Sequence, residues 1–124
     1  MPSKPCPTEH QEAEVLIKWW ALACHRWGLS SSMLIHHCNE GIRSLSAASR
    51  LKSEGLRPGL PDYQIPVARG CYGSLWIELK RLRNAKVQDT QEAMIDMLRR
   101  AGNRAEICYG AKAAIDLITE YLNS

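Results

Sequence analysis

The chain is predicted to be an α/β domain with a mixed central sheet of about four strands flanked by helices. Apolar residues recur at helical spacing in some segments and alternate with period two in others. The order of those segments is helix, strand, helix, two strands, helix, strand, helix. No linker or repeat divides the 124 residues, so they form one domain, large enough to bury about two-thirds of the surface its unfolded chain would expose.

Met1 to Pro7, with three prolines, is an irregular lead-in. Thr8 is a natural N-cap for a helix from Glu9 that ends near Gly28, with Leu16, Trp19, Trp20, Ala23 and Trp27 on its buried stripe. After a turn at Ser30 to Ser32, Met33 to Cys38 reads as the first strand. A short helix across Leu45 to Glu54 turns Ala48 and Leu51 inward and stops at Gly55. Two strands follow, Asp62 to Val67 and Ser74 to Lys80, joined by Arg69-Gly70-Cys71-Tyr72-Gly73. Asp89 with Glu92 resembles a capping box, opening a helix whose apolar face is Met94, Ile95, Leu98 and Ala101 and which ends at Gly102. A strand from Arg104 to Tyr109 and a helix burying Ala111, Ala114, Ile115, Ile118, Tyr121 and Leu122 complete the chain.

The chemistry is concentrated in Gly59-Leu60-Pro61-Asp62 and, fifteen residues on, Glu78-Leu79-Lys80. Strand side chains alternate, so Leu75, Ile77 and Leu79 share one face while Trp76, Glu78 and Lys80 share the other. In the preceding strand Tyr63, Ile65 and Val67 form the apolar set and Asp62 leads the polar one. Pairing the two strands sets Asp62 beside Glu78. Two carboxylates side by side suit a hard cation such as Mg²⁺, which binds through one or two carboxylates while keeping waters and substrate phosphate oxygens. Such an ion polarises a phosphoryl oxygen and acidifies a bound water, and Lys80 can orient that water or neutralise charge on the phosphorus. Glu-x-Lys alone is a common solvated strand pair. The turn, the spacing and the shared face make the combination specific.

The chain resembles the virus-type replication-repair nuclease (VRR-NUC) branch of the PD-(D/E)XK nuclease superfamily, in a phage-type, stand-alone form. The matching pieces are Thr8-Glu9-His10-Gln11-Glu12, Cys38-Asn39-Glu40-Gly41-Ile42-Arg43, Arg50-Leu51-Lys52-Ser53-Glu54-Gly55, Pro58 to Asp62, Gly73 to Lys80, and Gln91. They span nearly the whole length. The resemblance implies a restriction-endonuclease-like core and metal-dependent cleavage of DNA phosphodiesters with Mg²⁺ or Mn²⁺. It further implies action on branched DNA, including four-way junctions, by a homodimer. It makes Asp62 and Glu78 metal ligands, Lys80 the catalytic lysine and Gln91 the glutamine on the following helix, and its ligand set also takes in Leu79. Glu12, on the buried stripe of the first helix, is the preferred helix acid. Glu9 is its alternative, and Glu14 lies off the stripe. Asn39 and Arg43 match a segment close to the DNA. With Arg50, Lys52 and the basic loop residues Arg81, Arg83 and Lys86 they are expected to contact backbone phosphates, which orient a duplex without reading its sequence.

Charge agrees with a local phosphate-binding surface. The formal net charge is only +3, yet nine basic residues between Arg43 and Lys86 face three acids, two of which are the proposed ligands. Five scattered cysteines with no Cys-x-x-Cys pair read as reduced thiols of a cytoplasmic protein, in the bacterial host if the chain is phage-encoded. His36, His37 and Cys38 lack the paired spacing of a tetrahedral zinc site. No apolar run reaches membrane-spanning length. Two other functions compete with a junction endonuclease: a catalytically silent DNA-binding module of the same fold, and a nuclease that trims flaps or ends.

Overall fold

The structure is a computed structural model that describes residues 5–37 and 44–124. Thr8 starts α1 (Glu9–Ala23): its hydroxyl accepts from the Gln11 N–H, and its own N–H donates to the Gln11 side chain. A 3-10 turn, Cys24–Trp27, continues α1 and closes at Gly28 with a left-handed backbone. The Trp residues behave as the helical spacing predicts. Trp20 is buried, Trp19 and Trp27 pack against the same core, and the Trp20 indole N–H donates to the Ser31 carbonyl at 2.9 Å.

The strand expected over Met33 to Cys38 is shorter: β1 is Ile35–His36. The Ser30 hydroxyl caps a 3-10 turn at Ser31–Met33, so a local side chain–backbone bond outcompetes strand pairing there. Cys38 and the Asn39–Arg43 segment lie outside the described residues. α2 (Leu45–Ser53) is capped by Ser44 as its composition suggests, but it buries none of its residues. Ala48 and Leu51 are therefore only half-buried, not core.

β2 (Tyr63–Ile65), β3 (Leu75–Lys80) and β4 (Arg104–Tyr109) join β1 in a four-stranded sheet of order β1-β2-β3-β4. The β1–β2 and β2–β3 pairs are antiparallel and β3–β4 is parallel, with α3 (Asp89–Arg100) as the crossover between the parallel strands. The expected Asp89 start of α3 is replaced by a Gln88 N-cap, whose N–H donates to the Gln91 side chain at 2.9 Å. α4 (Ala111–Leu122) closes the chain.

α1 packs on α4 and on β3, while α4 covers β3 and β4. Leu16, Trp20, Leu75, Ile77, Leu79 and Ile118 meet in this core. At roughly 25 cal/mol per Å² of apolar surface removed from water, each such side chain contributes about 1.5–3 kcal/mol. Ala105 stands opposite Trp76 in the β3–β4 register and so shares the other sheet face. Ala105 and Ile95 of α3 are both buried outside the main core, placing α3 on that second face. The sheet thus has helices on both sides, with the Asp62–Glu78 side of β3 beneath α3.

Candidate active site

The β2–β3 register pairs Tyr63 with Ile77, Gln64 with Trp76 and Ile65 with Leu75. Extended by one step, it sets Asp62 opposite Glu78. The side chains meet there: the Asp62 carboxyl is close enough to act on the Glu78 carboxyl, and Asp62 Oδ2 accepts the Leu79 N–H at 2.8 Å. Burial, then the Asp62 carboxyl, then Glu9 push the Glu78 carboxyl far above the usual carboxylate range, with Lys80 opposing. Glu78 is 2 % exposed, and its Oε2 is buried with no hydrogen-bond partner.

That orphaned oxygen is the physical test of whether a cation fits. A buried carboxylate beside a second carboxylate is costly unless positive charge compensates it. The donors are hard oxygens, as Mg²⁺ and Mn²⁺ require. Among the described residues no three His, Cys, Asp or Glu side chains converge. The converging acids are therefore two, and water or phosphate oxygens would have to complete a hard-cation shell. Leu79 has a fully buried side chain in the core, so only its main-chain carbonyl could join them.

Glycine shapes the turn that delivers Asp62. Gly59 has φ +83°, and a Cβ there would overlap the Thr90 carbonyl and lie 2.9 Å from the Gln91 nitrogen. Only glycine lets the Gly-Leu-Pro-Asp turn lie directly on the N-terminus of α3. The contact brings Gln88 and Gln91 to the same cavity as Asp62 and Glu78. That cavity, about 370 Å³, is also lined by His37, Gly59 and Leu60. Gln91 thus lines this cavity while its side-chain oxygen accepts the Gln88 N–H at the start of α3.

The two helix acids separate. Glu9 lines a second cavity of about 270 Å³ together with Asp62 and Leu79, and its charge reaches Glu78. Glu12 is buried at 8 % exposure, as its position on the stripe predicts, but its carboxylate lies against Gly110 at the start of α4: a Cβ on Gly110 would sit 2.8 Å from Glu12 Oε2. That oxygen also has no hydrogen-bond partner. Lys80 is buried, and its carbonyl accepts the Gly110 N–H at 2.8 Å, which anchors the end of β3 beside the same glycine.

Trp76 does not lie beneath α1. Alternation turns it away from the α1–α4 core, and it stacks on His37 with ring centroids 5.3 Å apart and planes 19° apart. Among the expected DNA contacts, Lys52, Arg83 and Lys86 are exposed, and Arg50 is exposed in an ion pair with Glu54. Arg81 is half-buried, and one of its guanidinium nitrogens donates to the Cys6 carbonyl at 3.4 Å. Asn39 and Arg43 fall outside the described residues. His37 lines the cavity of Asp62 and Glu78 as well, a placement that the zinc-like run of His36, His37 and Cys38 does not suggest. Its position one step beyond β1, opposite Asp62, was the available signal.

A mixed sheet with helices on both faces, carrying an aspartate next to a Glu-x-Lys strand, has the layout of a PD-(D/E)XK-type nuclease. The chain belongs to the VRR-NUC domain family, whose model matches residues 7–112. A solved structure described as a VRR_NUC domain protein is similar to it, with a TM-score of 0.78 and 25% sequence identity over 96% of this chain and 91% of that one. No curated protein matches the chain. Family and fold together make it a nuclease-type domain of DNA processing. Among the described residues no helix is long and apolar enough to cross a membrane.

Proposed function

We propose that the protein is a metal-dependent endodeoxyribonuclease that hydrolyses phosphodiester bonds in branched DNA, four-way junctions included, and that it works as a homodimer. The carrying observation is the Asp62–Glu78 contact, with a buried Glu78 oxygen that has no hydrogen-bond partner among the described residues. Asp62, Glu78 and the Leu79 carbonyl would hold Mg²⁺ or Mn²⁺, with Glu9 or Glu12 as the helix acid. A hard cation bound there supplies Lewis acidity toward a phosphoryl oxygen and lowers the pKa of a coordinated water.

The protein's own groups do the rest. Asp62 is aimed by the Leu79 N–H, so its second oxygen keeps a fixed direction. Lys80 follows Glu78 by two residues on the same strand face, close enough for its charge to act on the Glu78 carboxyl. From there it orients the attacking water and offsets charge building on the phosphorus. Gln91 and the N-terminus of α3 add a donor-rich wall. Asn39, Arg43, Arg50, Lys52, Arg81, Arg83 and Lys86 hold the phosphate backbone.

The test is cleavage of matched four-way, flap, single-stranded and plain duplex DNA in Mg²⁺ and in Mn²⁺, alongside the mass of the protein in solution. Cutting near the branch by a dimer is the expected result. Cleavage confined to flaps or ends would replace the junction reading with a trimming nuclease. Salt-sensitive binding with no cleavage in either metal would identify a silent DNA-binding module.

A further inference from the structure

We infer that His37 is a substrate-contacting residue of this site, holding the DNA phosphodiester next to the one that is cut; this rests on the nuclease reading above. In the sequence His37 stands out only in a zinc-like run whose spacing does not suit zinc, not in the nuclease motifs. It lies just beyond β1, and its main-chain N–H donates to the Asp62 carbonyl at 2.7 Å, which continues the β1–β2 ladder to the acidic residue itself. Alternation therefore gives its side chain the same sheet face as Gln64, Trp76 and Glu78.

The imidazole is held on two sides. One face stacks on Trp76 at 5.3 Å, and Nε2 is 2.9 Å from the Gln64 side-chain oxygen. The ring lines the same cavity as Asp62 and Glu78. A surface histidine with a merely structural role has no need of both constraints. A ring that must meet a ligand at a set distance does, because the conformational cost of ordering it is met before the ligand arrives.

Among the described residues nothing bonds to Nδ1, which is therefore the nitrogen left for a ligand. With Gln64 accepting from Nε2–H, a neutral ring presents Nδ1 as an acceptor. Rotating the Gln64 amide by half a turn lets it donate to Nε2, and Nδ1 then carries the proton. An arriving phosphate oxygen selects that second arrangement and receives an N–H···O bond. Among the described residues, the cavity wall it joins, formed with Gln88, Gln91 and Gly59, contains no lysine or arginine. Neutral donors are what a phosphate beside the two carboxylates needs if the cation is to remain the main positive charge there.

Removing one hydrogen bond to a charged partner costs about 1.5–3 kcal/mol, which corresponds to roughly a 10- to 100-fold loss in kcat/KM. The test uses the full chain and its best DNA substrate in Mn²⁺. His37→Phe keeps a flat ring on Trp76 and deletes both nitrogens, and His37→Gln restores a donor. We expect His37→Phe to lose about tenfold or more in kcat/KM at unchanged melting temperature, with partial recovery in His37→Gln. A methylphosphonate at the phosphate flanking the cut should slow the wild type by a similar factor and His37→Phe hardly at all. Wild-type rates for His37→Phe, or equal methylphosphonate penalties in both proteins, would overturn the assignment. Cleavage by the wild type in the same assay keeps that outcome distinct from failure of the nuclease reading itself.

Discussion

Glu78 shows most clearly how a few side chains set the behaviour of this site. Its carboxyl is almost fully buried and touches Asp62, so without a cation the protonated form is the favoured one, with a pKa raised from the ordinary 4.5 to about 9. A folded-state pKa above the unfolded value means that the folded state binds the extra proton. The associated stability is fully present below about pH 4.5 and is lost progressively as pH rises toward 9. In chelator, the melting temperature should therefore fall across that window by roughly 5 °C or more. Glu78→Gln should flatten the fall, and Mn²⁺ should reverse it in the wild type alone. A wild-type profile that Glu78→Gln leaves unchanged would remove Glu78 as its source. For Asp62 and Lys80, alanine substitution should lower cleavage by about 10² or more with binding and folding retained, checked by single-turnover rates and by DNA binding in Ca²⁺. Asp62, Glu78 and Lys80 were legible in the sequence because strand alternation alone decides which side chains share a face. The place of His37 beside them was not, since it depends on Trp76 and Gln64 arriving from two other strands. The separate destinations of Glu9 and Glu12 were equally hidden: both lie close to one helical stripe, and only the packing of α4 gives Glu12 its Gly110 neighbour.

At the scale of the element, the turn before β2 and the start of α3 act as one unit. Gly59 presses its backbone onto Thr90 and Gln91, which fixes both Asp62 and the Gln88–Gln91 cap relative to the sheet. Gly59→Ala adds a Cβ where backbone already stands and demands φ +83° of an L-residue. The expected cost is about 2–4 kcal/mol of stability, together with a larger loss of activity than the stability change explains. Urea melts and cleavage rates on the still-folded fraction would check both; a variant that melts like the wild type would contradict the packing. Long periodic elements were readable in advance: β4 matches its expected bounds, and α4 buries its predicted stripe with Ile115 half-buried. Local bonds explain the misses. Ser30 converts an apolar, strand-like Met33 into the end of a 3-10 turn, and Gln88 takes the cap that Asp89 and Glu92 seemed suited to. α2 is helical by composition and capping, yet among the described residues the face its pattern marks as apolar is only half covered.

Across the whole molecule, one core under α1 and α4 supports a second, polar face on which the chemistry stands. The indole of Trp27 donates to Asn123 at 2.8 Å and the Tyr121 hydroxyl to the Val67 carbonyl at 2.6 Å, so the C-terminal helix is tied to the end of the first helical segment and to the chain beyond β2. Leu16→Ala should cost about 2–5 kcal/mol by opening a cavity in that shared core, read from denaturant unfolding. Lys52, Arg83 and Lys86 are exposed and line none of the cavities that hold Asp62 and Glu78, so they should govern affinity without governing chemistry. Replacing Lys52, Arg83 or Lys86 by alanine should weaken DNA binding, each reducing the magnitude of the slope of log K against log salt by about one, with little change in the single-turnover rate at saturating DNA. The fold class and the order of its elements were legible because one domain of this length must cover both sheet faces, and the helical stripes show what covers them.

The most direct measurement is anomalous diffraction from crystals soaked in Mn²⁺. The account predicts a peak between Asp62 and Glu78, about 2.0–2.2 Å from a carboxylate oxygen of each, with both carboxyls turned toward the ion. Full Mn²⁺ exposure that leaves no peak there would contradict it.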